Sequence, residues 1–181
     1  MRQITYTMRF HRAAEKKAAS RKKAAPPEQD PFPTAWMGPL TASLVDLRII
    51  EDTADPTGAR FAATMRGATF ENYVLMAESA ADMSSGSFLE QCRISGAQGS
   101  LSCKSYRLGT FASIAGATPL QSGSVIWQIT GGSGDLEGVT GTITSNFLIP
   151  GPDQLVDNHL GILFLPQPIG RPRAKAALRN R

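Results

Sequence analysis

Two glutamates are the residues whose type and setting best suit acid–base chemistry. The first, Glu51, follows Val45, Leu47 and Ile49 at a spacing of two, so all four share one face of a candidate strand. A carboxyl group at the mouth of an apolar cavity holds its proton tightly and can serve as acid, base or hydrogen-bond partner. The alternative is a solvated glutamate at a strand end.

A hairpin that carries two cysteines can be aligned residue by residue. Cys92 and Cys103 are symmetric about the Ala97–Gln98 junction, so a hairpin closed there places them opposite each other. A cross-strand disulfide is the alternative, but without an export signal we expect two reduced, buried thiols. Two cysteines and two histidines in the chain make no recognisable metal site, so we expect no metal.

The same register makes Glu90 the second catalytic candidate. Glu90 faces Ser105 across the hairpin, and Phe88 faces Arg107, on the side that also holds the cysteines. Arg107 is then diagonal to Glu90. A structural ion pair between them is therefore the alternative to a catalytic role.

Familiar catalytic groupings are missing from the sequence. There is no G-x-S-x-G or H-E-x-x-H motif, and His11 and His159 lie at opposite ends of the chain. We expect His11 at the surface and His159 in a strand wall. A nucleophile–base triad is not expected, so any catalysis would rely on shape, polar contacts and one acid or base.

Alternation in the candidate strands predicts further side chains that line an apolar interior. They share faces with apolar neighbours, a pattern common to core residues and to residues that contact a ligand. The candidates for substrate binding are Phe61, Met65, Phe88, Cys92, Cys103, Ser105, Trp127, Ile129, Ser145 and Phe147.

Short strands at regular spacing are the elements that must position these residues. Clusters of Gly, Pro, Ser and Asp separate them, which indicates an all-β sandwich or barrel. Eight strands can enclose one small ligand when they close into a barrel. The predicted strands span residues 41–52, 60–68, 72–79, 86–94, 101–108, 124–130, 138–148 and 155–165.

The chain divides into three zones. Residues 1–39 run from a short alternating piece into a helix-prone segment, His11 to Ala25, and then into a Pro-rich hinge. Residues 40–166 hold the strands. Residues 167–181 form a basic tail.

Charge is distributed unevenly along the sequence. Residues 41–165 contain six Lys/Arg and twelve Asp/Glu, a balance of −6, although the whole chain carries +4. Basic ends could attract nucleic acid, but the strand region has no interleaved basic and aromatic residues, so we expect no nucleic-acid partner.

Apolar runs are too short for a membrane span and no signal-peptide core is present, so we expect a cytoplasmic protein without a membrane partner.

A glycine-rich reversal joins two alternating segments, Val125–Thr130 and Val139–Phe147. Its glycines do not follow the G-x-G-x-x-G spacing, and the β-branched residues after them offer no helix N-terminus for a phosphate. The run GGSGDLEGVTG instead resembles the strand–turn–strand signature of the allene oxide cyclase and dirigent families. These families share a small eight-stranded antiparallel barrel.

This resemblance implies an all-β fold, an eight-stranded antiparallel up-and-down β-barrel, with an N-terminal helical segment as a lid. The stretch ending in Glu51 looks like the first strand of these barrels, and Cys92 sits where the cyclases carry a lumen cysteine, which supports both as cavity residues. Where the plant cyclases have an Asn-Glu-Arg-Asp-Arg-like stretch, this chain has Asp52-Thr-Ala-Asp-Pro-Thr-Gly. That departure argues against an oxylipin substrate.

The chain is more similar to bacterial spirotetronate and spirotetramate cyclases of polyketide biosynthesis. Some of these look like a barrel with a long N-terminal lid, on which Met8 and Phe10 would contact substrate here. The resemblance implies a cofactor-free cyclase that closes a linear polyene, with an acyl-tetronate or tetramate head, by [4+2] cycloaddition. It also implies a homo-oligomer, with a dimer favoured. The alternative functions are a non-catalytic barrel that binds an apolar small molecule and a dirigent-type cyclase of another substrate.

Overall fold

The computed structural model describes residues 2–12, 37–50, 56–117, 120–151 and 153–166. Within these ranges the chain forms strands and one short helix, α1 (Pro56–Thr64). The strands are β1 (Arg2–Arg12), β2 (Met37–Ile49), β3 (Thr69–Ser79), β4 (Ser85–Ser95), β5 (Gly99–Ser105), β6 (Gly109–Ser113), β7 (Gln121–Gly134), β8 (Thr140–Ile149) and β9 (Leu155–Leu165).

Eight of these strands close into an antiparallel up-and-down barrel, as the sequence predicts. Strands pair with their neighbours in the chain, and β9 pairs with β1 to complete the ring. The short β6 lies in line with β5, after a break at residues 106–108, and both pair with β4 and β7. Closure leaves no free sheet edge and creates an enclosed interior.

β1 is an integral strand of the barrel, which corrects the predicted boundary at residue 40. It pairs with β9 along its whole length and with β2 on its other side. Met8 and Phe10 point into the interior and are almost completely buried, so they are not part of a lid. Their alternation marks a strand with one buried face.

The helix predicted over residues 11–25 is only partly covered by the described chain. His11 and Arg12 continue β1 instead of starting a helix. Residues 13–36 and the basic tail, 167–181, lie outside the described residues, as does Glu51.

α1 plugs one end of the barrel, where the sequence predicts a strand. Phe61 and Met65 are four residues apart, a separation that places them on one side of either a strand or a helix. Ala63, which a strand would bury beside them, is exposed, while Thr64 is buried as a helix requires. The rings of Phe61 and Tyr6 pack with centroids 4.9 Å apart, so the helix fills this end of the interior.

Hydrogen bonds fix the helix against two strand turns. The backbone amide of Gln98, in the β4–β5 turn, donates to the carbonyl of Thr64 at 3.2 Å. The hydroxyl of Thr64 donates to Oδ2 of Asp135, in the β7–β8 turn, at 3.1 Å. We call this closed end of the barrel the plug end.

A β-bulge in β2 reverses the face predicted for Val45. Leu44 and Asp46 pair with consecutive residues of β1, so Val45 is an extra residue between them. Its side chain is 57% exposed, whereas Leu47 packs against the core. The predicted stripe that leads to Glu51 is therefore broken at its first member.

The predicted cysteine hairpin is confirmed up to the break between β5 and β6. Cys92 pairs with Cys103, and both are buried, free thiols. Beyond the hairpin, Phe88 pairs with Gly109 instead of the predicted Arg107. The reason is that residues 106–108 leave the ladder and shift the register.

Gly161 makes room for the ring of Tyr6 on the neighbouring strand, and this contact can be tested. A β-carbon at Gly161 would overlap the Tyr6 ring, which is completely buried. We expect Gly161→Ala to lower the free energy of unfolding in urea by about 3 kcal/mol through overpacking.

The matched control is Gly131→Ala. An added β-carbon there meets nothing within 4 Å, so the free energy of unfolding should change by less than about 0.5 kcal/mol. Equal losses for the two variants would contradict the packing argument.

Candidate functional site

An apolar cavity of about 280 Å³ occupies the half of the barrel opposite the plug end. At its mouth lie Met37, Leu40 and Met83, whose side chains are 51%, 39% and 45% exposed. Deeper in, the wall is built from side chains of five strands. The apolar wall residues are Val74, Met76, Phe88, Phe111, Phe147, Ile149 and Leu155.

Three buried polar residues interrupt this apolar wall. Asn72 of β3, Glu90 of β4 and Asp157 of β9 border the cavity and are each no more than 5% exposed. We call these three residues the polar floor. Buried polar groups are costly unless partnered, so their contacts determine what the site can do.

Glu90 is held by hydrogen bonds to both its backbone and its carboxyl group. As predicted, it lies opposite Ser105: the Glu90 amide donates to the Ser105 hydroxyl at 2.7 Å, and that hydroxyl donates to the Glu90 carbonyl at 3.2 Å. The indole N–H of Trp127 donates to Oε2 at 2.8 Å. The side-chain amide of Asn72 donates to Oε1.

Burial raises the pKa of Glu90 to about 8. Removal from water is the main cause, because it penalises the charged form. The hydrogen bond from Asn72 opposes this shift, the negative charge of Asp157 adds to it, and the bond from Trp127 opposes it again. Glu90 is therefore a protonated acid at neutral pH, available as a donor to a ligand in the cavity.

The predicted ion pair between Glu90 and Arg107 is not formed. Arg107 lies in the break between β5 and β6, exposed, with its guanidinium carbon 5.7 Å from the ring centroid of Tyr106. Among the described residues, no cation is found in contact with the Glu90 carboxyl group. The absence of a counter-charge is consistent with a protonated Glu90.

Asp157 has a different set of partners from Glu90. The Ser145 hydroxyl donates to its Oδ1 at 2.6 Å, and Nε2 of His159 lies 3.0 Å from its Oδ2. The histidine contact has the distance of an ion pair but not the alignment of a hydrogen bond, and neither ring nitrogen has a hydrogen-bond partner. We therefore treat it as an electrostatic contact.

His159 is buried, in the strand wall where the sequence predicts it, among the rings of Phe10, Phe70 and Trp127.

Five of the predicted substrate-binding residues lie at or next to this cavity. Phe88 and Phe147 form part of its wall. Ser105, Trp127 and Ser145 lie behind the polar floor and hydrogen-bond to its members. The structure thus gathers side chains that are up to 59 positions apart in the chain, from Phe88 to Phe147.

The other predicted binding residues are buried but do not line the cavity. Cys92, Cys103 and Ile129 belong to the core, as do Met8 and Phe10 of β1. Burial raises the pKa of the Cys92 thiol, and its hydrogen bond with Cys103 adds to the shift, so it is a poor nucleophile.

Phe61 and Met65 lie at the plug end, away from the cavity. They are core residues that pack with α1. The strand predicted over residues 60–68 is wrong because residues 56–64 form a helix, and both side chains face the barrel interior at the plug end instead of the cavity.

Sequence reasoning missed two members of the polar floor. Asp157 lies two residues before His159 on the same inward face of β9, so the alternation that places His159 in the wall could have found it. Asn72 pairs directly with Cys92. That neighbourhood becomes visible only once the register between β3 and β4 is known.

Two negative findings concern the described residues. No group of three or more His, Cys, Asp or Glu there could hold a metal ion. No helix in the same ranges is long and apolar enough to cross a membrane.

The buried proton on Glu90 should make stability depend on pH. Between its usual pKa of 4.5 and about 8, the folded protein keeps a proton that the unfolded chain releases, so stability falls as pH rises through this window. From about pH 5 to about pH 8, we expect the titration of Glu90 to lower the free energy of unfolding by about 4 kcal/mol, which is about 1.4 kcal/mol for each pH unit. Urea unfolding at a series of pH values measures it.

Glu90→Gln is the variant that isolates this effect. It keeps the shape but does not titrate, so its stability should fall less steeply across the window than that of the wild type. Glu137→Gln, in the exposed β7–β8 turn, leaves Glu90 in place and should keep the wild-type slope. Identical slopes for wild type and Glu90→Gln would refute a protonated Glu90.

Neither a protein-family model, nor a curated protein, nor a solved structure matches this chain.

Proposed function

We propose that this protein is a cofactor-free cyclase that folds a linear polyene in its cavity for an intramolecular [4+2] cycloaddition. The resemblance to spirotetronate and spirotetramate cyclases supports this reaction. The observation that carries the proposal is one apolar cavity with a buried, protonated Glu90 at its floor.

The apolar wall suits the folding of a conjugated chain. Burial of such a chain against Val74, Met76, Phe88 and Phe147 contributes roughly 25 cal/mol for each Å² removed from water. The enclosed space also selects bent conformers in which the diene and dienophile meet, which lowers the entropic part of the barrier. The reaction exchanges π bonds for two C–C σ bonds without losing an atom, so it needs no cofactor.

The polar floor suits a head group that both accepts and donates hydrogen bonds. Protonated Glu90 can donate to a carbonyl oxygen of the head, which makes a conjugated dienophile a better electron acceptor. The Oδ1 atom of Asn72 is buried without a hydrogen-bond partner and can accept from an enol hydroxyl or a lactam N–H. A tetronate head offers a carbonyl and an enol hydroxyl, and a tetramate head offers a carbonyl and a lactam N–H.

The size of the cavity sets which part of the substrate it can hold. Its volume of about 280 Å³ lies just below the range of roughly 300–1,000 Å³ found for pockets that enclose drug-sized ligands. We infer that the head and the reacting carbons lie inside. The remaining chain would extend across Met37, Leu40 and Met83, the exposed apolar residues at the mouth.

A second candidate function is favoured by the predominantly apolar wall. A barrel of this kind could bind and protect an apolar metabolite without changing it. Such a carrier would form a stoichiometric complex from which the ligand is recovered unchanged.

Synthetic linear polyenes with an acyl-tetronate or tetramate head test the cyclase proposal. We expect the protein to accelerate cyclisation at least tenfold over the spontaneous rate, followed by liquid chromatography and mass spectrometry. Glu90→Gln should lower that acceleration about tenfold, since it replaces a carboxylic acid with a weaker donor. Tight binding with no acceleration, across several such substrates, would favour the carrier and reject the cyclase.

A pair of phenylalanine substitutions tests whether the cavity is the binding site. Val74→Phe fills the cavity and should weaken binding of the same polyenes, measured by calorimetry, at least tenfold. Ile126→Phe adds a similar group on the outer wall, where Ile126 is 48% exposed, and should leave affinity unchanged. Equal affinities for both variants would place the ligand elsewhere.

A further inference from the structure

We infer that the polar floor is an acid–base pair, with Glu90 as the acid and Asp157 as the base, and that it isomerises apolar β,γ-unsaturated ketones. This inference uses the cavity described above but does not require the cycloaddition. It adds a proton-transfer activity and gives a catalytic role to Asp157.

Two carboxyl groups border the same cavity but have environments of opposite character. Glu90 contacts the neutral groups of Asn72 and Trp127. Asp157 contacts the Ser145 hydroxyl and the imidazole of His159. Among the described side chains that contact either carboxyl group, only this imidazole can carry a positive charge. Carboxyl groups whose surroundings differ in this way divide into an acid and a base.

The electrostatics of the pair favour one distribution of protons. A negative charge on Asp157 acts across the floor on Glu90 and favours its protonated form. Two like charges in one dry site are unfavourable, so a proton on Glu90 is favoured while Asp157 keeps its acceptor oxygens. This arrangement presents a donor and an acceptor to the same ligand.

Ser145 and His159 act as positioning residues for the base. Both are buried and touch Asp157, and neither borders the cavity. The Ser145 hydroxyl fixes Oδ1, and His159 lies beside Oδ2, so the carboxylate is held in one orientation. A base held by its neighbours loses little freedom when the substrate enters.

The reaction balances without a co-reactant. The ketone oxygen accepts the Glu90 proton while Asp157 removes a proton from the carbon between the carbonyl and the C=C bond. The electrons of that C–H bond form the new C=C bond of a dienol. Asp157 then returns its proton to the γ-carbon, the O–H proton goes back to Glu90, and the α,β-unsaturated ketone leaves.

Cyclohex-3-en-1-one is the probe for this activity. Its isomer, cyclohex-2-en-1-one, is conjugated and is followed by ultraviolet absorbance. We expect the wild-type protein to exceed the rate in an equal concentration of acetate, and Asp157→Asn to lose at least about 100-fold in kcat. Asp153→Asn, an exposed neighbour in the preceding turn, should keep the wild-type rate.

Ser145→Ala separates positioning from folding. It keeps the carboxylate but removes one of its two restraints, so kcat should fall about fivefold while KM stays constant. This variant also serves if Asp157→Asn fails to fold, and circular dichroism checks the fold of each.

Two outcomes would overturn the inference. The first is a wild-type rate no higher than that of acetate. The second is full activity in folded Asp157→Asn or Ser145→Ala. Because the probe cannot undergo cycloaddition, its result is independent of the polyene assay, and either activity can fail while the other stands.

Discussion

Pairing between the first and last strands is the constraint on which the rest of the structure depends. β1 and β9 form a continuous ladder from Arg2 opposite Leu165 to Arg12 opposite Leu155. Only this ladder converts a twisted meander into a closed wall with an inside. It brings Phe10 next to Asp157, so the site exists only when residues nearly 150 positions apart have met. Such long-range contacts are costly in chain entropy and slow folding.

Closure of the barrel alone does not create a binding site. Side chains must fill one part of the interior and leave a cavity in another. α1 and large rings occupy the plug end and the middle of the barrel, where Phe70 stacks on Trp127 with centroids 5.5 Å apart. The opposite half of the barrel contains the cavity. Asn72, Glu90 and Asp157 lie at the boundary between these halves, and removal from water beside the packed rings raises the pKa of Glu90.

Local patterns in the sequence predict an all-β sandwich or barrel, the resemblance of the glycine-rich run selects the barrel, and of the residues that border the cavity the sequence predicts Phe88, Glu90 and Phe147. Alternation identifies most strands, and symmetry about one turn places Glu90 opposite Ser105. Where local patterns allow two answers the prediction fails, as for Phe61 and Met65, whose spacing fits a strand and a helix. The bulge at Val45 leaves no signal in residue type. Asn72 and Asp157 join the site through the registers of strands far apart in the chain, which no local pattern encodes.

The ladder that closes the barrel also makes its topology cyclic. With Arg2 beside Leu165, the strand order around the ring has no structural beginning. A circularly permuted chain, joined by a short linker at the plug end and opened in the exposed turn at residues 81–83, would keep every strand pairing. Its new termini would then border the cavity mouth instead of the plug.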